Sequence, residues 1–214
     1  MDKFATKIGL YCIIIAVMDI QQIIGLIGFA FATSITPGPN NLMLMASGVN
    51  FGIRRTVPHI LGVSIGFTLM IIVVGIGLVG LFEAWPFASL ILKVVSAGYL
   101  LWLAWKIASA PLPKAGEQLS TGNPMTFIQA ALFQWINPKA WTMALTALTV
   151  YVGTRDFITV LGVAVIFGVI NLPSVGIWTA MGQYIRRRLA GDLSRRLFNW
   201  GMAALLVASL TVAL

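Results

Sequence analysis

The chain has one cysteine, one histidine and six acidic residues among 214. Each scarcity removes a class of chemistry. Cys12 alone forms no intrachain disulfide, thiolate cluster or CxxC redox pair. His59 alone does not make a transition-metal site, which draws on grouped Cys, His, Asp and Glu. The acids are Asp2, Asp19, Glu83, Glu117, Asp156 and Asp192, and none falls in the middle of an apolar run. An intramembrane protease or lipid transferase therefore lacks its acid–base partners. The sequence predicts no catalytic residues, no metal and no cofactor.

Charge is scarce too: 9% of residues are charged and 59% hydrophobic. A mean hydropathy of +0.94 lies far outside the soluble range and marks an integral membrane protein. At roughly 20 apolar residues per span, the length fits about six helices and no separate soluble domain. The net charge of +8 reads as cytoplasmic loops rather than nucleic-acid binding, because no basic face interleaves with aromatics.

Residues 1–19 are an N-terminal extension with two open readings. Lys3 and Lys7 before "IGLYCIIIAV" resemble the charged and apolar parts of a signal peptide without a clear cleavage site. The other reading starts translation at Met18. Six spans follow, at about Ile20–Ser47, Val57–Leu81, Phe87–Ala108, Met125–Val152, Phe157–Gln183 and Phe198–Leu214. Residues 110–124 form a polar cytoplasmic linker between two three-helix halves, 20–109 and 125–214. Apolar runs this long without alternation are helices, not barrel strands. Trp85, Trp102, Trp105, Trp178 and Tyr184 near span ends read as interfacial anchors.

Basic residues cluster in alternate loops: Arg54 and Arg55, then Lys106 and Lys114, then Arg186, Arg187, Arg188, Arg195 and Arg196. The positive-inside bias puts these loops in the cytoplasm and both termini in the periplasm. The pattern V-x-x-G-x-R recurs in "VNFGIRRTV" (Val49 to Val57) and "VYVGTRDFI" (Val150 to Ile158), and Pro39 is matched by Pro138. A motif repeated across two three-span halves implies inverted insertion, the plan of many secondary transporters.

The first span contains "TPGPNN" and the fourth "INPKA". Proline removes a backbone donor, and each orphaned group in hydrocarbon costs several kcal/mol. Such breaks persist only inside protein or beside a water-filled cavity. Thr36, Pro37, Gly38, Pro39, Asn40 and Asn41 should thus face the bundle interior, as should Asn137, Pro138 and Lys139. Free N–H groups at one half-helix end attract a carboxylate, and free carbonyls at the other attract an ammonium. Facing breaks suit an amino-acid zwitterion. An unpaired lysine at mid-membrane costs roughly 2.5–3.5 kcal/mol, so Lys139 is expected to meet a substrate carboxylate or an interior partner. Gln134 and Asn171 complete the candidate substrate-binding set, while Ser64 and Thr68 are further polar interior positions. His59, at the start of span two, could relay protons but reads first as a helix-end residue facing water.

"TPGPNN", "AGYLLWLAWKIASAP" (residues 97 to 111) and "INPKA" together resemble the lysine exporter (LysE/RhtB) family of amino-acid exporters, over about residues 20 to 214. Within it the chain is most similar to the cysteine/O-acetylserine group. The resemblance implies efflux of amino acids or derivatives across a bacterial inner membrane, driven by the proton gradient. Many members carry an acid in the second span after a glycine, where this chain has Phe67 after Gly66. That loss argues against basic substrates and leaves the proton carrier unnamed. The expected partners are a small amino-acid substrate, protons and membrane lipid, and homo-oligomerisation is left open. Export of homoserine, threonine or homoserine lactone is the alternative reading, and a passive channel is the alternative of another class.

Overall fold

The computed structural model describes residues 19–78, 87–111, 122–152, 156–189 and 191–210. Residues 1–18 of the N-terminal extension, Glu83, Trp85, most of the linker, Gly153, Arg155 and the last four residues lie outside them. The described chain is helical, with no strand among the described residues. We number its α-helices α1 (Ile20–Ile35), α2 (Pro39–Val73), α3 (Phe87–Ala108), α4 (Phe127–Phe133), α5 (Pro138–Val150), α6 (Phe157–Arg186) and α7 (Gly191–Ala208). A π-helical turn, Val74–Leu78, extends α2, and a 3-10 turn, Gln134–Ile136, extends α4.

Local sequence sets the helix starts. Asp19 and Gln22 form a capping box on α1, and Thr126 and Gln129 form another on α4. Asp156 caps α6 through Thr159 N at 3.0 Å and Thr159 Oγ1 at 2.6 Å. α2 and α5 both open with proline at the first position, where a missing N–H costs nothing.

Among the described residues three helical runs are long and apolar enough to cross a membrane: Pro39–Gly77, Leu90–Ala108 and Phe157–Arg186. The first of these is not straight. Gly52 has φ +75°, outside the helical region. The Ser47 and Thr56 hydroxyls, nine residues apart, meet at 2.9 Å, where a straight helix would separate them by about 13 Å. Leu44 likewise shares a buried cluster with Ile60 and Val63. The chain therefore reverses at Gly52 into a helical hairpin, and only glycine adopts that φ without strain. Arg54 and Arg55 are accordingly helical residues just past a tight turn, not part of a loop. Gln183 Oε1 accepts from Ile53 N at 2.7 Å, satisfying an amide that the turn exposes. Arg195 and Arg196 are corrected in the same way, because α7 starts before them.

Two glycines let α2 and α6 touch backbone to backbone. A Cβ on Gly48 would strike the Thr179 carbonyl oxygen, and one on Gly182 would strike the Met45 carbonyl oxygen. Close approach through small residues is how helices associate where lipid offers no hydrophobic drive. One core packs Leu26 and Ala30 of α1, Phe67 and Met70 of α2, Ala144 of α5 and Phe167 of α6. A second packs Leu42 and Met43 against Leu103 of α3, Phe133 and Leu206 of α7. Large side chains such as Ile24, Phe31, Leu90, Val94 and Leu101 lie exposed on the outside, as a lipid-facing surface requires.

Candidate functional site

Both breaks are present, and the fold brings them together. α1 ends at Ile35 and α2 starts at Pro39; the 3-10 turn ends at Ile136 and α5 starts at Pro138. Asn40 Nδ2 donates to Gln134 Oε1 at 2.8 Å, and Gln134 Nε2 donates back to Asn40 Oδ1 at 3.2 Å. This reciprocal amide pair joins a residue of the first break to one of the second. Lys139 forms the other bridge. Its Nζ donates to Thr36 O and Thr36 Oγ1, both at 2.9 Å, and to Pro37 O at 3.2 Å. Of the two roles expected for Lys139, the structure displays the interior partner.

The carbonyls ending α1 are nearly all taken. Thr36 N donates to Ala32 O, and Thr36 Oγ1 to Thr33 O. Asn41 Nδ2 reaches Ser34 O at 2.8 Å and Thr36 O at 2.7 Å. Trp178 Nε1 donates to Ile35 O at 2.9 Å. A helix end at this depth needs such partners, since water does not supply them. The expectation of free carbonyls waiting for a substrate ammonium is thus corrected: the lysine ammonium, an asparagine amide and an indole already hold them. Asn137 behaves as expected of an N-cap, its side chain accepting from Lys139 N at 3.2 Å.

Two spaces adjoin the bridge. A small void of about 20 Å³ is lined by Ser34, Gly38, Asn40, Asn41, Asn137, Lys139 and Asn171, with Phe67 and Met143 among its apolar walls. That is room for about one water. Asn171 Nδ2 donates to Ser34 Oγ at 3.2 Å, but Asn171 Oδ1 is buried with no partner. On the other side, Thr36, Pro37, Pro39, Trp178, Met202 and Leu205 line a cleft of about 720 Å³. Gly38 and Lys139 border both spaces, so the lysine bridge forms part of the wall between them. Gly38 has to be small: a Cβ there would come within 2.6 Å of Lys139 Cδ.

The candidate residues divide accordingly. Gly38, Asn40, Asn41, Asn137, Lys139 and Asn171 converge on the void. Thr36 and Pro37 are exposed on the cleft rather than buried in the interior, because their carbonyls turn toward Lys139 while their far side stays open. Gln134 is buried behind Asn40, and Pro138 is buried at the start of α5. Trp178, read from the sequence as an interfacial anchor, is a donor to the first break; no sequence signal separates it from the tryptophans near other span ends. His59 does not face water: it is 2% exposed, because the hairpin folds the first half of α2 over it. Residues 62–66, Gly-Val-Ser-Ile-Gly, formally fit a nucleophile-elbow pattern. They lie inside α2, not at a strand-to-helix turn, and Ser64 Oγ donates to Gly168 O at 3.2 Å. The pattern therefore packs helices. Among the described residues no group of Cys, His, Asp and Glu could hold a metal.

The family model described as LysE type translocator matches residues 31–214. A cysteine/O-acetylserine efflux protein of Klebsiella pneumoniae is 30% identical over 84% of this chain and 90% of its own length. The protein of the same name from Escherichia coli (strain K12) is 32% identical over 84% of this chain and 90% of its own. No solved structure matches. Two helices broken at prolines and tied together by Lys139, on a chain matched from residue 31 to its end, place this protein in the LysE translocator family.

Proposed function

We propose that this protein is a secondary active exporter of small neutral amino acids or their derivatives, cysteine and O-acetylserine among them. It exchanges them for protons across a bacterial inner membrane by alternating access. Six spans, arranged as two inverted three-helix repeats, place both termini in the periplasm. The observation that carries this reading is the bridge of Lys139 to the carbonyls of the opposite break, set between a small void lined by polar side chains and a larger cleft.

The chemistry follows from what each group can exchange. Lys139 Nζ is a cation held by neutral oxygens, so a substrate carboxylate competes well for it. When the carboxylate takes Nζ, the Thr36 and Pro37 carbonyls are released. They then accept the substrate's α-ammonium, and Asn171 Oδ1 is a further acceptor. The wall between void and cleft opens as the bridge breaks. None of the described carboxylates, Asp19, Asp156 and Asp192, lines either space, so a second substrate cation has no partner there. Selection of neutral over basic amino acids rests on that absence. The names of the relatives support the substrate class.

The test is efflux from proteoliposomes preloaded with labelled amino acids, with a pH gradient imposed or collapsed. Gradient-dependent release of cysteine or O-acetylserine, with lysine retained, is expected. Release of lysine would overturn the charge argument, and release indifferent to the gradient would favour a passive channel.

A further inference from the structure

A second cavity, of about 210 Å³, lies along the first half of α2 and is lined by Met43, Ser47, Asn50, His59, Lys106 and Asn123. The His59 ring is buried in its wall, and neither Nδ1 nor Nε2 has a partner. A neutral imidazole carries one donor and one acceptor, so two orphaned ring nitrogens in a packed bundle call for an explanation. Lys139, by contrast, already has three oxygens around its ammonium. Met43, which lines this cavity, lies one helical turn along α2 from Asn40, which borders the central void.

We propose that His59 is the residue that exchanges the driving proton with the cytoplasm, an inference that rests on the exporter reading above. The proton arrives on the imidazole when the transporter faces the periplasm and leaves to cytoplasmic water through this cavity. No covalent bond to any other group changes. Cations lie at and beside the cavity. α3 contributes Lys106. From α2, Arg55 bonds Gly122 O at 2.6 Å and Asn123 Oδ1 at 3.0 Å, beside the cavity wall. The first half of α2 contributes only the neutral Ser47 and Asn50, and Asn50 pairs with Asn199 of α7 at 3.0 Å. No carboxylate lines the cavity among the described residues.

The experiment uses full-length protein in proteoliposomes with labelled O-acetylserine as probe. Gradient-driven accumulation is compared with counterflow at equal pH on both sides. His59→Gln is expected to lose gradient-driven accumulation and keep counterflow. Lys106→Gln is expected to move the pH midpoint of gradient-driven transport, because it changes the charge of the cavity that the proton crosses; this second variant covers a failure of His59→Gln to fold. Accumulation retained in His59→Gln overturns the proposal, as does loss of counterflow in a folded His59→Gln or an unmoved midpoint in Lys106→Gln. Wild-type counterflow without any gradient drive removes the coupling and spares the exporter. Absence of wild-type counterflow removes both.

Discussion

Lys139 illustrates how one side chain can stabilise a defect that its own membrane depth makes costly. Its ammonium is accommodated because proline breaks leave carbonyls unfilled, and those carbonyls are accommodated because the ammonium is there. Hydrogen bonds to charged groups contribute about 1.5–3 kcal/mol each, so Lys139→Met should leave an insertable protein with a faulty centre. We expect its transport to fall by about tenfold or more, the equivalent of about 1.4 kcal/mol, at matched membrane levels. Wild-type flux in Lys139→Met would show the bridge to be dispensable. Much of this site was legible beforehand, since prolines, asparagines and a lysine inside apolar runs are conspicuous. The occupied state of the carbonyls was not, because it depends on Asn41 and Trp178 reaching them through the fold. His59 was misread for a related reason: its burial comes from a reversal seven residues upstream that hydropathy does not register.

At the scale of helices, close packing is set by glycines rather than by large side chains. Gly48 and Gly182 each place a Cα against a carbonyl of the facing helix, and Gly62 does the same against Phe127 of α4. Inserting bulk into such a contact typically costs about 1–3 kcal/mol, occasionally more. Gly182→Leu is therefore expected to lower the melting temperature of the detergent-purified protein by several degrees. Gly176→Leu, where a Cβ would meet nothing nearby, should leave it unchanged. Equal melting of the two variants would contradict the backbone-contact account. The sequence places α3 at Phe87–Ala108, as found, and α6 nearly so, because uninterrupted apolar runs bounded by polar residues define their own ends. It places the first reversal between Ser47 and Val57, around Gly52, but reads a loop there where helix runs up to the turn and resumes directly after it.

For the whole molecule, orientation is the property most open to a direct check. The described arginines all lie near the tight turn at Gly52 or in and around the short connection between α6 and α7, and we place them in the cytoplasm. In a Cys12→Ser background, Arg55→Cys and Arg187→Cys should react with an impermeant thiol reagent in inside-out vesicles and stay protected in intact spheroplasts. Labelling from the periplasmic side would reverse the topology. It would also move the His59 cavity to the opposite compartment.

The hairpin at Gly52 also bears on biogenesis. α1 has 16 residues and α5 has 13, each too short to cross a hydrocarbon layer about 30 Å thick at 1.5 Å per residue. A nascent chain that has emerged only to Phe51 thus offers the translocon a segment with an open seam at Thr36–Gly38 and nothing to close it. The return strand of the hairpin, from Ile53 onward, brings the first packing surface. The seam itself is sewn only when Lys139 and Trp178 arrive, more than a hundred residues later. Synthesis must therefore carry an unfinished membrane segment through most of translation, and the second half of the chain completes the first.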